Sequence, residues 1–204
     1  MKEETLDYED FKSDLSSKYM GRSVYYFDSI DSTNTKAKKL ASKGAKEGTV
    51  IISEEQTAGR GRLGSSWISP KHKGLWMSII LRPNIAPVDA VKITQIVAAV
   101  IHKSINCLGI KSLIKWPNDI VLNDKKLCGI LTEMNAELNT INYVVIGIGI
   151  NVNLNEDEIP KDIRSIATSL KIESKNYIDR KALLCSILEN FEIFYDEFLE
   201  NFNM

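Results

Sequence analysis

The sequence has few of the residues that bind metal ions or form cross-links. Its three cysteines, Cys107, Cys128 and Cys185, are far apart and odd in number, and its two histidines are His72 and His102. No CxxC pair is present. The composition therefore argues against a structural zinc site and against a disulfide scaffold, and it is typical of a protein with reduced thiols. We assign no residue to a metal site.

Neither sign of charge predominates, and long apolar runs are lacking. The chain carries 26 Lys and Arg against 27 Asp and Glu, which argues against a protein that coats nucleic acid, so we expect no DNA binding. The longest apolar stretch covers residues 96–101 and the amino terminus is acidic, which indicates neither a membrane span nor a signal peptide. We therefore expect a cytoplasmic protein without a membrane partner, and its 204 residues suit a single domain, 1–204.

The spacing of apolar residues predicts an α+β fold in which helices cover a mixed β-sheet. Helices are predicted over residues 6–18, 31–41, 87–106 and 180–199. Strands are predicted over residues 24–27, 49–53, 75–81, 113–116, 120–122, 127–134 and 143–152. The segment 155–164 is polar and is expected to be mobile.

A long segment without periodicity, residues 54–73, follows the second predicted strand. It contains Trp67 and the run Gly59-Arg-Gly-Arg-Leu-Gly64, which formally matches GxGxxG. A dinucleotide-binding fold is not indicated, because no apolar helix follows the run, and no GxxxxGK[ST] motif is present. Two interpretations stay open: a flexible loop whose Arg60 and Arg62 wrap an anionic ligand, or a solvated basic loop.

The run Lys115-Trp-Pro-Asn-Asp119 concentrates a lysine, an amide and a carboxylate at one edge of the predicted sheet. Pro117 restricts Trp116 to an extended conformation. A hairpin turn at residues 123–124 is expected to return Lys126 alongside Lys115. The alternatives are a packed tryptophan beside an Asn-Asp turn and an ordinary turn lysine at position 126.

Five motifs occur in the order found in biotin protein ligases, and the chain resembles that family from about Val24 to the last predicted helix. The motifs are Asp31-Ser-Thr-Asn34, Glu55-Gln-Thr-Ala-Gly-Arg-Gly-Arg62 with Trp67, Lys115-Trp-Pro-Asn-Asp119, Lys126-Leu-Cys-Gly-Ile130 and Gly147-Ile-Gly-Ile-Asn151. The resemblance implies a fold related to class II aminoacyl-tRNA synthetases and lipoate ligases. It implies that biotin and MgATP form biotinyl-5′-AMP, and that biotin then passes to a lysine of a biotin carboxyl carrier domain.

The resemblance also implies roles for individual residues. Those expected to bind biotin are Ser32, Thr33, Asn34, Gln56, Gly59, Arg60, Gly61, Arg62, Lys126 and Gly129. Those expected to bind ATP or the adenylate are Arg60, Arg62, Trp67, Lys115, Asn118, Lys126 and Asn151. Lys126, Arg62 and Lys115 are the predicted catalytic residues, because cations offset the repulsion between a carboxylate and a triphosphate.

Two departures from the family pattern and two rival functions stay open. Little chain precedes Val24, so a DNA-binding winged helix is not expected, and the small β-barrel domain that usually follows the last helix is expected to be absent. The family further implies a possible homodimer. The rivals are a lipoate ligase or octanoyltransferase, whose apolar substrate needs no row of small polar groups, and a non-catalytic biotin-binding module.

Overall fold

The computed structural model describes residues 5–6 and 8–202. Within them, seven strands form one mixed sheet in the order β1-β2-β3-β7-β6-β5-β4. The strands are β1 (Val24–Phe27), β2 (Val50–Ser53), β3 (Gly74–Leu81), β4 (Leu113–Lys115), β5 (Asp119–Leu122), β6 (Lys125–Glu137) and β7 (Thr140–Asn151). Only β1 and β2 are parallel among these neighbours. The predicted mixed sheet is confirmed.

Helices cover both faces of the sheet, to different extents. The helices are α1 (Tyr8–Asp14), α2 (Thr33–Ala41), α3 (Ala90–Asn106), α4 (Leu170–Ser174) and α5 (Arg180–Glu200). Apolar side chains of α3 and α5 join those of alternate strand positions, such as Ile146 and Ile148, in the main core. The shorter α2 packs through Ala37 and Ala41 against Val145 on the opposite face, and it leaves part of that face uncovered.

The first helix is shorter than the predicted range 6–18, part of which lies outside the described residues. It ends at Asp14. Backbone N–H groups in the segment that follows donate to side chains of α5 and not to carbonyl groups within a helix. Three consecutive backbone N–H groups, those of residues 18–20, donate to the Glu192 carboxylate of α5 at 2.7–2.9 Å. The N–H of Ser16 donates to Glu189 Oε1 at 2.7 Å. A helix through these residues would break all four contacts.

Other boundaries also differ from the sequence prediction. The hairpin of β6 and β7 extends to the turn at residues 138–139, because both strands continue to pair beyond the predicted range. The third helix begins at Ala90, after a short 3-10 turn, and β4 ends at Lys115. The short α4, capped by Ser169, was not predicted. Among the described helices, neither α5, with 21 residues, nor any shorter one has the length and apolar character of a membrane span.

A buried ion pair ties the start of α5 to the end of β2, and the amino-terminal end of the described residues joins it. Glu54, directly after β2, is fully buried, and its Oε2 lies 2.7 Å from Nη1 of Arg180 at the start of α5. Its Oε1 accepts the backbone N–H of Leu6 at 2.7 Å. Burial by itself raises the pKa of the Glu54 carboxyl, but the hydrogen bond and charge of Arg180, with the Leu6 N–H, lower it below the ordinary value of 4.5.

Replacing Glu54 by Gln is expected to lower the free energy of unfolding by about 3 kcal/mol, because it removes the carboxylate that lies 2.7 Å from the buried Arg180 guanidinium. Since the folded pKa is depressed, the carboxylate stabilises the fold fully above pH 4.5, and this contribution is lost as the pH falls through the folded value. The difference in the free energy of unfolding between wild type and variant, measured by urea unfolding, should therefore be smaller in acid than at pH 7.

The neighbouring Glu55→Gln variant serves as the control, since Glu55 is partly exposed and accepts a hydrogen bond from Ser29. A Glu54→Gln protein as stable as this control would contradict the role given to the buried pair.

Candidate functional site

A cavity of about 490 Å³ occupies the part of the sheet face that α2 leaves uncovered. Strands β6 and β7 form its floor, and the first turn of α2 forms one side. Residues 54–73, here called the glycine loop, form its roof. The segment 154–167, which follows β7, forms the far wall.

The first turn of α2 places small polar groups against the cavity. Ser32 caps the helix with its side chain, which accepts the backbone N–H of Thr35 as an N-cap serine typically does. Thr33 contributes both its backbone N–H and its hydroxyl to Gln56 Oε1, at 2.9 and 3.1 Å. Ser32, Thr33 and Asn34 are all buried. The turn is therefore fixed to the base of the glycine loop and presents hydroxyl and amide groups in one arrangement.

Glycines on β7 make the floor flat enough for other elements to touch it. A Cβ atom at Gly147 would lie 2.1 Å from Asn34 Oδ1, and one at Gly149 would lie 2.4 Å from Trp67 Nε1. Because real Cβ contacts are never this short, a side chain at either position would displace α2 or the glycine loop.

Trp67 and Lys126 meet above this floor. The Lys126 ammonium lies 5.4 Å from the centroid of the Trp67 ring, within cation–π range, and 2.9 Å from Asp119 Oδ1. The buried Trp67 Nε1 has no hydrogen-bond partner among the described residues. The ammonium is thus held between an aromatic face and a carboxylate.

Backbone pairing fixes where Lys126 stands. The predicted turn at residues 123–124 is present, with positive φ angles of 48° and 62°. Beyond it, the Lys126 N–H donates to Ile166 O at 2.7 Å, and Lys126 O accepts the N–H of Thr168 at 3.0 Å. The start of β6 is therefore hydrogen-bonded to the end of the far wall along the edge that does not face β5.

The two arginines of the glycine loop reach opposite sides of the cavity. Arg62 donates through Nη1 to Asn118 Oδ1, just before β5. Arg60 pairs through Nη2 with Glu133 Oε1 of β6 at 3.2 Å. The loop is therefore attached to the sheet by two guanidinium groups, both of which carry donors that an anion could use.

Most of the residues predicted from the sequence are brought together in this cavity. Its lining includes Ser32, Thr33, Asn34, Gln56, Arg60, Gly61, Arg62, Trp67, Asn118, Lys126, Gly129 and Asn151. Buried Asn151 donates to Thr168 O at 3.0 Å, which directs it towards the same wall as Lys126.

Two predicted residues lie outside the cavity lining. Lys115 is exposed on β4 and pairs with Asp119, whereas Lys126 pairs with Val121 on the other side of β5. The expectation that the hairpin returns Lys126 alongside Lys115 is therefore wrong, because β5 runs between them. Gly59 is buried within the glycine loop. Its carbonyl accepts the Trp67 N–H, and a Cβ atom at this position would lie 2.2 Å from Trp67 O.

The sequence analysis predicted a polar, mobile segment at residues 155–164 and did not identify it as part of the cavity wall. Leu154 and Ile159 are buried against Trp76, and Arg164 donates through Nη2 to Ile159 O at 2.9 Å. Apolar residues spaced between charged ones, at positions 154, 159, 163 and 166, were the available signal. Two acidic neighbours of the cavity cations, Asp119 and Glu133, were also not assigned a role.

The arrangement suits a ligand with a neutral polar end and an anionic end. Hydroxyl and amide groups cluster at α2, while Arg62 and Lys126 stand towards β5 and the far wall. Among the described residues, no group of three His, Cys, Asp or Glu side chains could hold a metal ion.

The chain is similar in sequence to known proteins. Residues 26–151 match the family described as "Biotin/lipoate A/B protein ligase family". The chain is 44% identical to the bifunctional ligase/repressor BirA of Bacillus spizizenii over 91% of its own length, but it spans only 57% of that relative. It is 34% identical, over 60% of its length, to a biotin–[acetyl-CoA-carboxylase] ligase of Paracoccus denitrificans, of which it covers 51%.

Solved structures are also similar. The biotin protein ligase of Aquifex aeolicus in complex with biotin and ATP superposes with a TM-score of 0.75 at 29% identity, covering 88% of this chain and 72% of that one.

The Gly149→Ala substitution is expected to force the Trp67 ring away from the sheet, because the new methyl group would lie 2.4 Å from Nε1. We expect a loss of about 1–3 kcal/mol of stability from overpacking and a red-shifted tryptophan emission. The emission is best measured in a Trp116→Phe background, since Trp116 is 59% exposed. Gly129→Ala, whose methyl group would meet the ring edge at 3.0 Å, should give a smaller shift. Unchanged emission in both variants would disprove this placement of the indole.

Proposed function

Because the chain belongs to the biotin/lipoate A/B protein ligase family, we propose that it is an ATP-dependent biotin protein ligase. It forms biotinyl-5′-AMP from biotin and MgATP, then transfers biotin to a lysine of a biotin carboxyl carrier domain of a biotin-dependent carboxylase. The observation that carries the proposal is the pairing, in one cavity, of a neutral hydrogen-bonding end with a cationic end. Biotin has the same two ends: a neutral ureido ring and a carboxylate.

The hydrogen-bonding end suits the ureido ring. Ser32, Thr33 and Asn34 are fixed at the start of a helix, and Gln56 is held by Thr33. Hydroxyl and amide groups can both donate and accept, as the N–H and C=O groups of a urea require. The glycines of the floor let Asn34 and Trp67 lie directly on β7, which fixes the side chains that border the ligand.

The cationic end suits the first reaction step, in which the biotin carboxylate attacks the α-phosphate of MgATP and pyrophosphate leaves. Two unit charges in close contact repel by about 4 kcal/mol at an effective dielectric constant near 20. Lys126 and Arg62 offset this repulsion when they exchange Asp119 and Asn118 for ligand oxygens. Asn118 and Asn151 then lie on the nucleotide side.

The second step needs only an acceptor amine. The lysine amine of the carrier domain attacks the mixed anhydride, the new amide bond forms, and AMP leaves. We further propose that two copies of the chain pair through their sheets, that Mg²⁺ enters with ATP as part of the substrate, and that the reaction takes place in the cytoplasm. Lys115 is exposed on β4, at the edge of the sheet. Its proposed catalytic role requires that the acceptor or ATP bind at this edge.

Biotin-dependent exchange of pyrophosphate into ATP tests the proposal, with lipoate in place of biotin as the comparison. Exchange with biotin alone supports it. Exchange with lipoate alone would point to a lipoate ligase, and binding of biotin without exchange would point to a non-catalytic module.

Lys126→Ala is expected to slow biotin-dependent exchange about 100-fold, because one positioned cation is lost from the reacting charges. The melting temperature should change little, since the Lys126 side chain is 40% exposed in its ion pair with Asp119. Lys125→Ala, one residue away in the same turn and outside the cavity lining, is the matched control. Near-normal exchange by Lys126→Ala would remove Lys126 from the mechanism.

Arg62→Gly is expected to keep some adenylate synthesis but to release the adenylate before transfer, because the mutation removes a bidentate phosphate donor from the loop. Released adenylate should biotinylate an unrelated lysine-rich protein, as detected on an avidin blot. Leu63→Gly serves as the control, because it increases the backbone freedom of the fully exposed tip of the same loop without removing a charge. Equal bystander labelling by wild type and Arg62→Gly would show that Arg62 does not retain the intermediate.

A further inference from the structure

Glu133 contacts two residues of the cavity without lining the cavity itself. It lies on β6, on the same face as Gly129 and Leu131, with its side chain 20% exposed. Its Oε1 receives Lys38 Nζ at 2.7 Å and Arg60 Nη2 at 3.2 Å, and its Oε2 receives Asn34 Nδ2 at 3.0 Å. Asn34 and Arg60 line the cavity, and Glu133 stands behind them.

The carboxylate, together with the backbone carbonyl of Leu131 at 3.3 Å from Asn34 Nδ2, sets which way the buried Asn34 amide points. An ionised carboxylate only accepts hydrogen bonds, so it must face Asn34 Nδ2. Asn34 Oδ1 is thereby turned to Ser78, whose hydroxyl lies 2.6 Å away. Ser78 Oγ lies in turn 2.8 Å from Thr33 Oγ1, which contacts Gln56. Glu133 is thus the charged end of a chain of polar contacts behind the row of groups proposed to bind the ureido ring.

The same carboxylate attaches the glycine loop to the sheet. Glu133 is the partner that holds the Arg60 guanidinium at 3.2 Å, and the Arg60 side chain is 45% exposed. Burial alone raises the pKa of the Glu133 carboxyl, but hydrogen bonds from Lys38 and Asn34, and the charges of Lys38 and Arg60, lower it below the ordinary value. The group is therefore ionised at neutral pH and accepts from all its partners at once.

We propose that Glu133 is a positioning residue for biotin: it orients Asn34 and docks Arg60 over the ureido end of the cavity, without touching the ligand. This rests on the proposed function. A protein that lacks the carboxylate should still hold the nucleotide through Lys126, Arg62 and Asn118, which are not among its partners. Of the residues expected to bind ATP, Glu133 contacts Arg60 alone, so the effect should fall mainly on biotin.

The test compares Glu133→Gln with Glu137→Gln, which makes the same change of charge on the same strand, at an exposed residue outside the cavity lining. In pyrophosphate exchange, Glu133→Gln should raise the KM for biotin about tenfold, because it removes the charge, and one of the two acceptor oxygens, that hold two ligand-binding residues. The KM for ATP should stay within about twofold of wild type, and the melting temperature should match the control. Equal changes in both KM values, or no change in either, would overturn the positioning role.

A second measurement does not depend on activity. Trypsin cleaves after arginine, so cleavage of the free protein after Arg60 reports how firmly Glu133 docks that side chain. Glu133→Gln should be cut there several times faster than wild type and Glu137→Gln, with cleavage elsewhere unchanged. Equal rates would show that Glu133 does not dock Arg60. Absence of exchange in wild type would refute the proposed ligase activity, and the trypsin rates would still decide the role of Glu133.

Discussion

The site depends on close contact between the glycines of β7 and the groups that lie on them. With hydrogen atoms alone at Gly147 and Gly149, Asn34 and Trp67 rest directly on the strand. This contact sets the height of α2 and of the glycine loop above the sheet, and so it sets the shape of the cavity between them. The strand that provides the floor is also held on both sides, by β3 and β6, so the floor cannot yield easily.

The cations above that floor all have partners within the protein. Lys126 pairs with Asp119, Arg60 with Glu133, and Arg62 donates to Asn118. These partners keep the cations apart from one another and in place. A ligand must replace some of them, which lowers its net affinity but favours one that brings its own negative charge to the same positions.

The ends of the described chain support the loop from behind. Arg180, at the start of α5, and the Leu6 N–H meet on Glu54 at the base of the glycine loop. His72, at the other end of that loop, has its Nδ1 3.2 Å from the same carboxylate. Fixed ends keep the arginines of a loop rich in glycine in one place, and the buried Glu54 carboxylate holds the ends of this loop.

The sequence by itself determined the elements and most of the site. Apolar periodicity identified β3, α3 and α5. The resemblance of the ordered motifs to biotin protein ligases implied twelve of the residues that line the cavity. Tertiary structure decided what depends on distant partners. The first helix ends early because Glu192, far along the chain, takes its backbone N–H groups. Lys115 is separated from Lys126 by β5, and the far wall folds because Trp76 gives it an apolar surface. Glu133 carried no motif, and only the folded sheet brings its carboxylate to Asn34 and Arg60.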